Sequence, residues 1–462
     1  MSNFHKIGLL LFLIAALTSC KNDDNDYSAY FGGVVTNPKT PYVIFSKDDK
    51  VIDTLHLDEQ NRFFIKFDSL APGLYSFKHE PDYQYVYFDK NDSLMVSINT
   101  SNFDESIVFS GNGDKKNNFM MDLYLMQEKD RIADYNIYNA NFNAFQKNLD
   151  SVYSLRQAFY KKEKSEINWS DDFNFYANAR LNLNYYAKKE CYPYLHKRRT
   201  GKEAISKVPA NFYDFRKEIN FNDPRLTNFS PFVRYFTAML NNIADTNKHN
   251  STNSEENSLK DNILKLNIAD SIFSNKIVKN EVLDNIAFAY MLEDHNITNS
   301  QKFLDHFLTL STDDHKTNDI KKMSDAVRLL KEGQKLPGIK LLDTNNNCFD
   351  IQNNIRKETV IFFWTVCAQN HLDLVYKKLD VLKKEHKNIN FIAVNVDEDK
   401  EWKKMMQLHE FQNAFQLRAG NLQALKDKWV FTKINRTIIL NSDGTIKNAF
   451  ANLMDVKFSD NL

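Results

Sequence analysis

The stretch Thr359–His371, "TVIFFWTVCAQNH", changes character halfway. Thr359 to Trp364 is a continuous apolar run, as expected of a central strand covered on both faces. Cys367 follows. Then "HLDLVYKKLDVLKKEHK" places Leu372, Val375, Leu379 and Leu382 on one helix face. The segment therefore reads strand, cysteine, helix. A thiol at a helix N-terminus has a lowered pKa, because the dipole and the free N–H groups favour thiolate. Whether Cys367 has a partner decides what such a thiolate could do.

Downstream the alternation continues. "INFIAVNVDED" is a second buried strand, "EWKKMMQLHE" a second helix, and "RTIILNSDGTIKNAF" a hairpin turning at Asp443-Gly444. The order over 334–462 is β-α-β-α-β-β. Nothing in "DVKFSDNL" reads as a full closing helix, so one sheet face is expected to be less covered or donated to a neighbour.

Upstream the grammar is different. Over 28–113, eight strand-length segments ("AYFGGVV", "YVIFS", "VIDTLHL", "RFFIKF", "LYSFKH", "YQYVYF", "SLMVSI", "SIVFSG") are separated by turn sequences such as "NPKT", "DEQN" and "APG". Several alternate with period two, so an antiparallel β-sandwich is expected. Tyr83, Tyr85 and Tyr87 share one strand face, which reads as a packed or half-buried row; sugar or partner stacking is the alternative. Over 114–333 the pattern is helical, giving a central all-α domain. Its clearest piece runs from Tyr135 to Tyr160, with Tyr138, Phe142, Phe145, Leu149, Val152, Leu155 and Phe159 recurring at threes and fours. Further helices are expected over Asn174–Lys188, Pro231–Asp245, Ser258–Ile272, Lys276–Glu293, Ser300–Ser311 and Asp319–Lys331. The chain is thus read as multidomain α+β.

The first residues read as a targeting segment. Lys6 precedes the apolar run Ile7–Leu17, and "LTSC" ends at Cys20. This resembles a bacterial lipobox. The resemblance implies a signal peptide over 1–19, lipidation of Cys20, a polar tether over 20–27, and a place in the cell envelope, on the outer membrane. The membrane, reached through the lipid, is one expected partner. Lysine plus arginine and aspartate plus glutamate number 60 each, so nothing points to nucleic acid. The histidines lack metal-ligand spacing, and no metal or cofactor is expected. Beyond Cys20 the cysteines are Cys191, Cys348 and Cys367. An odd number in an oxidising compartment leaves at least one thiol outside an internal disulfide. Cys191 reads as a helix-end packing residue; a pairing of Cys348 with Cys367 stays open.

The C-terminal segment resembles the TlpA/ResA-like branch of the thioredoxin superfamily over roughly Lys335 to Phe450. The likeness rests on "LPGIKLLD", "VIFFW", "AVNVDEDKEWKK" and "INRTIILNSDGTI" taken in order. The N-terminal strands resemble the β domain that accompanies this module in envelope lipoproteins; Asn61 stands where that family has glycine. The resemblance implies a thioredoxin-like fold and thiol–disulfide oxidoreductase ancestry, with envelope proteins as clients. It also implies an active motif Trp-Cys-x-x-Cys, which is absent. Aligned on cysteine, Cys367 is the nucleophile, Asn370 replaces the resolving cysteine and Trp364 stands one residue too close. Aligned on Phe-Trp, Ala368 and His371 take the two cysteine positions. The family's cis-proline is replaced by Asn435, followed by Arg436, where a trans peptide is expected.

Dithiol exchange needs a second thiol to resolve the mixed disulfide. The expected function is therefore a lipid-anchored envelope protein of this family that lacks dithiol activity and acts through binding. The alternative is monothiol exchange at Cys367. A peroxidatic role is disfavoured, because Thr365 is misplaced and the proline of that motif is missing.

Overall fold

The computed structural model describes residues 27–462 apart from 49, 204–207, 246–253, 294–295, 367, 409–410 and 456–457. The leader, most of the tether, the lipidation candidate Cys20 and the thiol candidate Cys367 lie outside the described residues. The chain divides into two units. One takes in the chain through Arg216 with Asn228–Met239, the other Lys217–Thr227 with Leu240–Leu462. The central helical region is shared between them.

In the first unit all eight expected strands are present: β1 (Ala29–Thr36), β2 (Tyr42–Lys47), β3 (Lys50–His56), β4 (Arg62–Phe67), β5 (Gly73–His79), β6 (Asp82–Phe88), β7 (Ser93–Asn99) and β8 (Val108–Asn112). They form two four-stranded sheets, ordered β4-β1-β7-β8 and β3-β2-β5-β6. Alternate residues of both sheets, among them Phe31, Val35, Phe45, Phe77, Phe88 and Val96, meet in one buried cluster. The Phe31 ring lies 5.4 Å from Phe45 and 5.7 Å from Phe77. Such pairs add about 0.5–1.5 kcal/mol each beyond area burial.

One pairing departs from the antiparallel expectation. β1 and β7 run parallel, Gly33 opposite Val96. A hairpin would force antiparallel pairing, but here the whole of β2–β6 intervenes, and a long connection permits either direction. The approach is close: a Cβ on Gly33 would stand 2.2 Å from the Val96 carbonyl oxygen. Asn61 does adopt the left-handed conformation, at φ 58°.

Three long helices follow: α1 (Asp114–Ala133), α2 (Phe142–Ile167) and α3 (Asp171–Thr200). The helix expected from Tyr135 begins at Phe142 instead, after a 3₁₀ segment over Asp134–Asn139. Asn141 breaks the run, its side chain accepting the Ala144 N–H as an N-cap. α3 is longer than expected. Ser170 caps it, Asp171 and Asp172 sit in its first turn, and Lys197, Arg198 and Arg199 precede a left-handed Gly201. Those charges complement the helix dipole at both ends. Cys191 therefore lies inside α3 rather than at a helix end; burial pushes its thiol pKa up. Tyr87 is fully buried against Phe173 and Tyr176, so this member of the tyrosine row is core.

The boundary between units falls within α4 (Ser230–Asp245). The second unit holds α5 (Ser254–Ile272), α6 (Lys276–Glu293), α7 (Ile297–Leu310) and α8 (Asp314–Leu329). It then builds a seven-stranded sheet from β9 (Leu341–Leu342), β10 (Cys348–Phe349), β11 (Thr359–Trp364), β12 (Asn390–Asn395), β13 (Phe415–Ala419), β14 (Arg436–Leu440) and β15 (Ile446–Asn452), ordered β10-β9-β13-β12-β11-β14-β15. The longer helices of this part are α9 (Gln369–Glu385), α10 (Asp399–Leu408) and α11 (Leu422–Trp429).

β11 is buried along its whole length. Val360, Phe362 and Trp364 face α9, through Leu372, Val375, Leu379 and Leu382, and α10, through Trp402. Ile361 and Phe363 face the opposite cluster, with Leu425 and Trp429 of α11 and Ala326 and Val327 of α8. One expectation is corrected here: a further strand–helix unit, β13 with α11, stands between α10 and the final hairpin. The sheet face opposite α9 is covered by α8 and α11.

Candidate functional site

The strand–cysteine–helix junction is built by β11, β12 and the start of α9. β11 and β12 are parallel, with Trp364 opposite Asn395. Their continuations therefore meet at the same end of the sheet. Just beyond Asn395, Asp397 gathers three donors. The Thr365 hydroxyl donates to Oδ1 at 2.5 Å, while the Val366 N–H and Asn395 Nδ2 donate to Oδ2, each at 2.7 Å. The Asp397 N–H returns a bond to Asn395 Oδ1 at 2.9 Å, and the Val396 N–H donates to the Trp364 carbonyl at 3.1 Å. Bonds to a carboxylate are charge-assisted and stronger than neutral ones. The loop on the N-terminal side of position 367 is thus clamped to the end of β12.

On the other side, the Ala368 N–H donates to the Thr365 carbonyl at 3.2 Å, closing a turn. Ala368 is the N-cap of α9 and offers no side-chain acceptor. The first-turn amides of α9 therefore lack a side-chain cap, leaving the positive end of the helix dipole without one. Cys367 itself lies outside the described residues, between these two described neighbours.

Asn370 and His371 lie in the first turn of α9. The His371 ring bonds to the Phe363 backbone, and burial holds its pKa below the usual histidine value. Its Nε2 is buried with no partner among the described residues, and so is Nε1 of Trp364. The Trp364 ring packs on Phe411 at 5.0 Å. Trp364 and His371 thus share this corner, with a neutral imidazole where one alignment places the second thiol.

Asn435 sits in the turn before β14, and the cis peptide found among the described residues is Glu80–Pro81, so the bond between Asn435 and Arg436 is trans. The Arg436 guanidinium is not part of the corner. Strand alternation sends it to the face opposite α9, where it is 7 % exposed. Its Nε and Nη2 donate to the Ala449 carbonyl at 3.0 and 2.9 Å, its Nη1 to the Val430 carbonyl, and it stacks on Phe450 at 4.3 Å. Burial lowers its pKa to about 9.

Cys348 is exposed and free on β10. The register places it in one transverse row with Leu342, Arg418, Asn395 and Trp364. Four strand spacings put it ~19 Å from Trp364.

Sequence reading missed Asp397 and Asn395. Their signal was "NVDED", read only as an acidic strand end. Among the described residues no cluster of potential metal ligands occurs. A groove of about 520 Å³ lies at the other end of β11 and β12, lined by Phe349, Thr359, Lys383, Asn390 and Phe415.

Residues 356–446 match a thioredoxin-like family profile. No curated protein matches the chain. Among solved structures, a candidate thiol-disulfide oxidoreductase from Bacteroides vulgatus is 25% identical, with TM-score 0.25, covering 28% of this chain and 92% of that one. A domain of a possible thiol-disulfide isomerase from Cytophaga hutchinsonii is 21% identical, with TM-score 0.25, covering 28% of this chain and 89% of that one. A thioredoxin-like protein from Bacteroides caccae is 12% identical, with TM-score 0.34, covering 51% of this chain and 86% of that one. The C-terminal part of this chain, over residues 356–446, is a thioredoxin-like domain.

Proposed function

We propose that this is a lipid-anchored cell-envelope protein whose thioredoxin-like domain binds partners and does not turn over disulfides by dithiol chemistry. One observation carries the reading: "TVCAQNH" supplies a single thiol, and the next cysteine along the sheet, Cys348, stands ~19 Å from Trp364 in the strand register. Without a resolving thiol the catalytic cycle stops at the mixed disulfide. The anchor rests on the lipobox-like "LTSC" at Cys20; among the described residues no helix is long and apolar enough to cross a membrane. The first 113 residues, read as signal, tether and β-sandwich, and the helical stretch that follows would then hold the C-terminal domain at the membrane.

A second reading is favoured by the uncapped amides at the start of α9. They would lower the Cys367 pKa, so that its thiolate attacks a client disulfide, forms a mixed disulfide and expels the client's other sulfur as thiolate. Release then needs an external thiol such as glutathione. Trapping separates the two. Envelope extracts quenched with acid and alkylated are run on non-reducing gels. Binding alone predicts the same pattern for wild type and Cys367→Ser. A covalent adduct present only in wild type establishes the monothiol reading. For the anchor, a palmitate label lost in Cys20→Ser is expected; a retained label overturns it.

A further inference from the structure

Arg180 is the most unusual cation in the first unit. It sits on the inner side of α3 among Tyr176, Ala177, Leu181 and Leu183 and keeps 3 % of its exposure. Its guanidinium carbon lies 5.2 Å from the Phe229 ring, 5.5 Å from Tyr124 and 5.8 Å from Tyr85. Its main-chain carbonyl accepts from Gln127 Nε2 at 3.0 Å. No guanidinium nitrogen has an acceptor among the described residues. Nε is enclosed and unpartnered, whereas the Nη pair is not enclosed.

The surrounding polar groups are committed elsewhere. The Tyr85 hydroxyl donates to the Asn228 carbonyl and accepts the Ser230 N–H, both at 3.0 Å. Tyr124 donates to Asp104 Oδ2 at 2.8 Å, and Gln84 donates to Asp104 Oδ1 at 3.1 Å, so both oxygens of that carboxylate are taken by other donors. Arg234 adds positive charge nearby while bonded to Glu128 at 3.3 Å. Aromatic faces compensate a buried cation only in part, and an ionised group enclosed without a counter-charge is costly. What is missing is a planar acceptor for the guanidinium fork. Tyr83, 48 % exposed and edge-on to Tyr85 at 5.7 Å, extends the aromatic wall towards solvent.

We propose that the niche at Arg180 binds a carboxylate carried on an aromatic or apolar body. The guanidinium edge takes the two oxygens, and the Tyr83 and Tyr85 rings take the body. This site is independent of the thiol chemistry of the C-terminal domain.

Benzoate, neutral benzamide and inorganic phosphate are titrated into the whole chain and followed by thermal shift and calorimetry. Benzoate raises the melting temperature of wild type, with its affinity falling at least roughly tenfold in Arg180→Met and less in Arg180→Lys, which keeps charge but loses the fork. Circular dichroism checks that each variant folds; if Arg180→Met does not, Arg180→Lys carries the comparison. Benzamide matching benzoate overturns the anion site. Phosphate matching benzoate overturns the carboxylate assignment. No response in wild type, or an equal response in wild type and both variants, overturns the site altogether.

Discussion

Replacing Asp397 with alanine should free the loop that leads into Cys367. The carboxylate accepts from Thr365, Val366 and Asn395. Bonds to a charged group are worth about 1.5–3 kcal/mol each. The sum overstates the loss, because Thr365 and Val366 are half-buried and recover water. Asn395 is fully buried; its Oδ1 still accepts the main-chain N–H of residue 397, but its Nδ2 keeps only the Trp364 carbonyl at 3.4 Å. A net local cost of about 3 kcal/mol follows, which is a hundredfold or so in the opening equilibrium. Hydrogen exchange read by mass spectrometry should show peptides spanning Thr365–Ala368 losing protection by that factor, while peptides from β1–β8 stay unchanged. Asp397→Asn, which retains one oxygen for the Val366 N–H, should lose about half as much free energy. Protection around Val366 within threefold of wild type in Asp397→Ala would refute the clamp.

Two further perturbations probe the first unit. Glu190 is fully buried, with Arg216 Nε and Nη2 donating to it at 2.7 and 2.6 Å. Glu190→Ala should cost about 3–5 kcal/mol by stranding the guanidinium, and a Glu190→Leu/Arg216→Met pair should recover most of it in thermal melts; equal losses would argue against a buried pair. His79 accepts the Lys39 N–H at 2.9 Å through Nε2, so that nitrogen must stay unprotonated. Burial lowers its pKa below 6.5. The unfolded chain then binds the proton more readily, so His79 contributes full stability above pH ~6.5 and loses it as pH falls below. Urea midpoints at about pH 7.5 and 5.5 should differ less in His79→Gln than in wild type; an unchanged difference would contradict this.

What was legible in the sequence follows from how local each signal is. The eight N-terminal strands were readable because each combines its own alternation with turn residues at its ends. β11 and the face of α9 were readable for the same reason. The parallel pairing of β1 with β7 was not, since it joins residues more than fifty positions apart. β13 escaped because "FQLRA" buries only Leu417 and Ala419 and exposes Phe415. Asn141 looked like one more residue in a helical stripe until its capping role was seen. At the site, the lone thiol was visible at once, but the target of Asp397 was not: a carboxylate after a strand says nothing of which loop it will hold. The different destination of the Arg436 side chain follows from the parity of β14, which depends on where the strand begins.

The most direct test of the central claim is catalytic reduction of insulin disulfides by the purified chain, with dithiothreitol as electron donor and Cys367→Ser beside wild type. With no resolving thiol beside Cys367, both proteins should match the uncatalysed rate. Turnover by wild type that disappears in Cys367→Ser would contradict it.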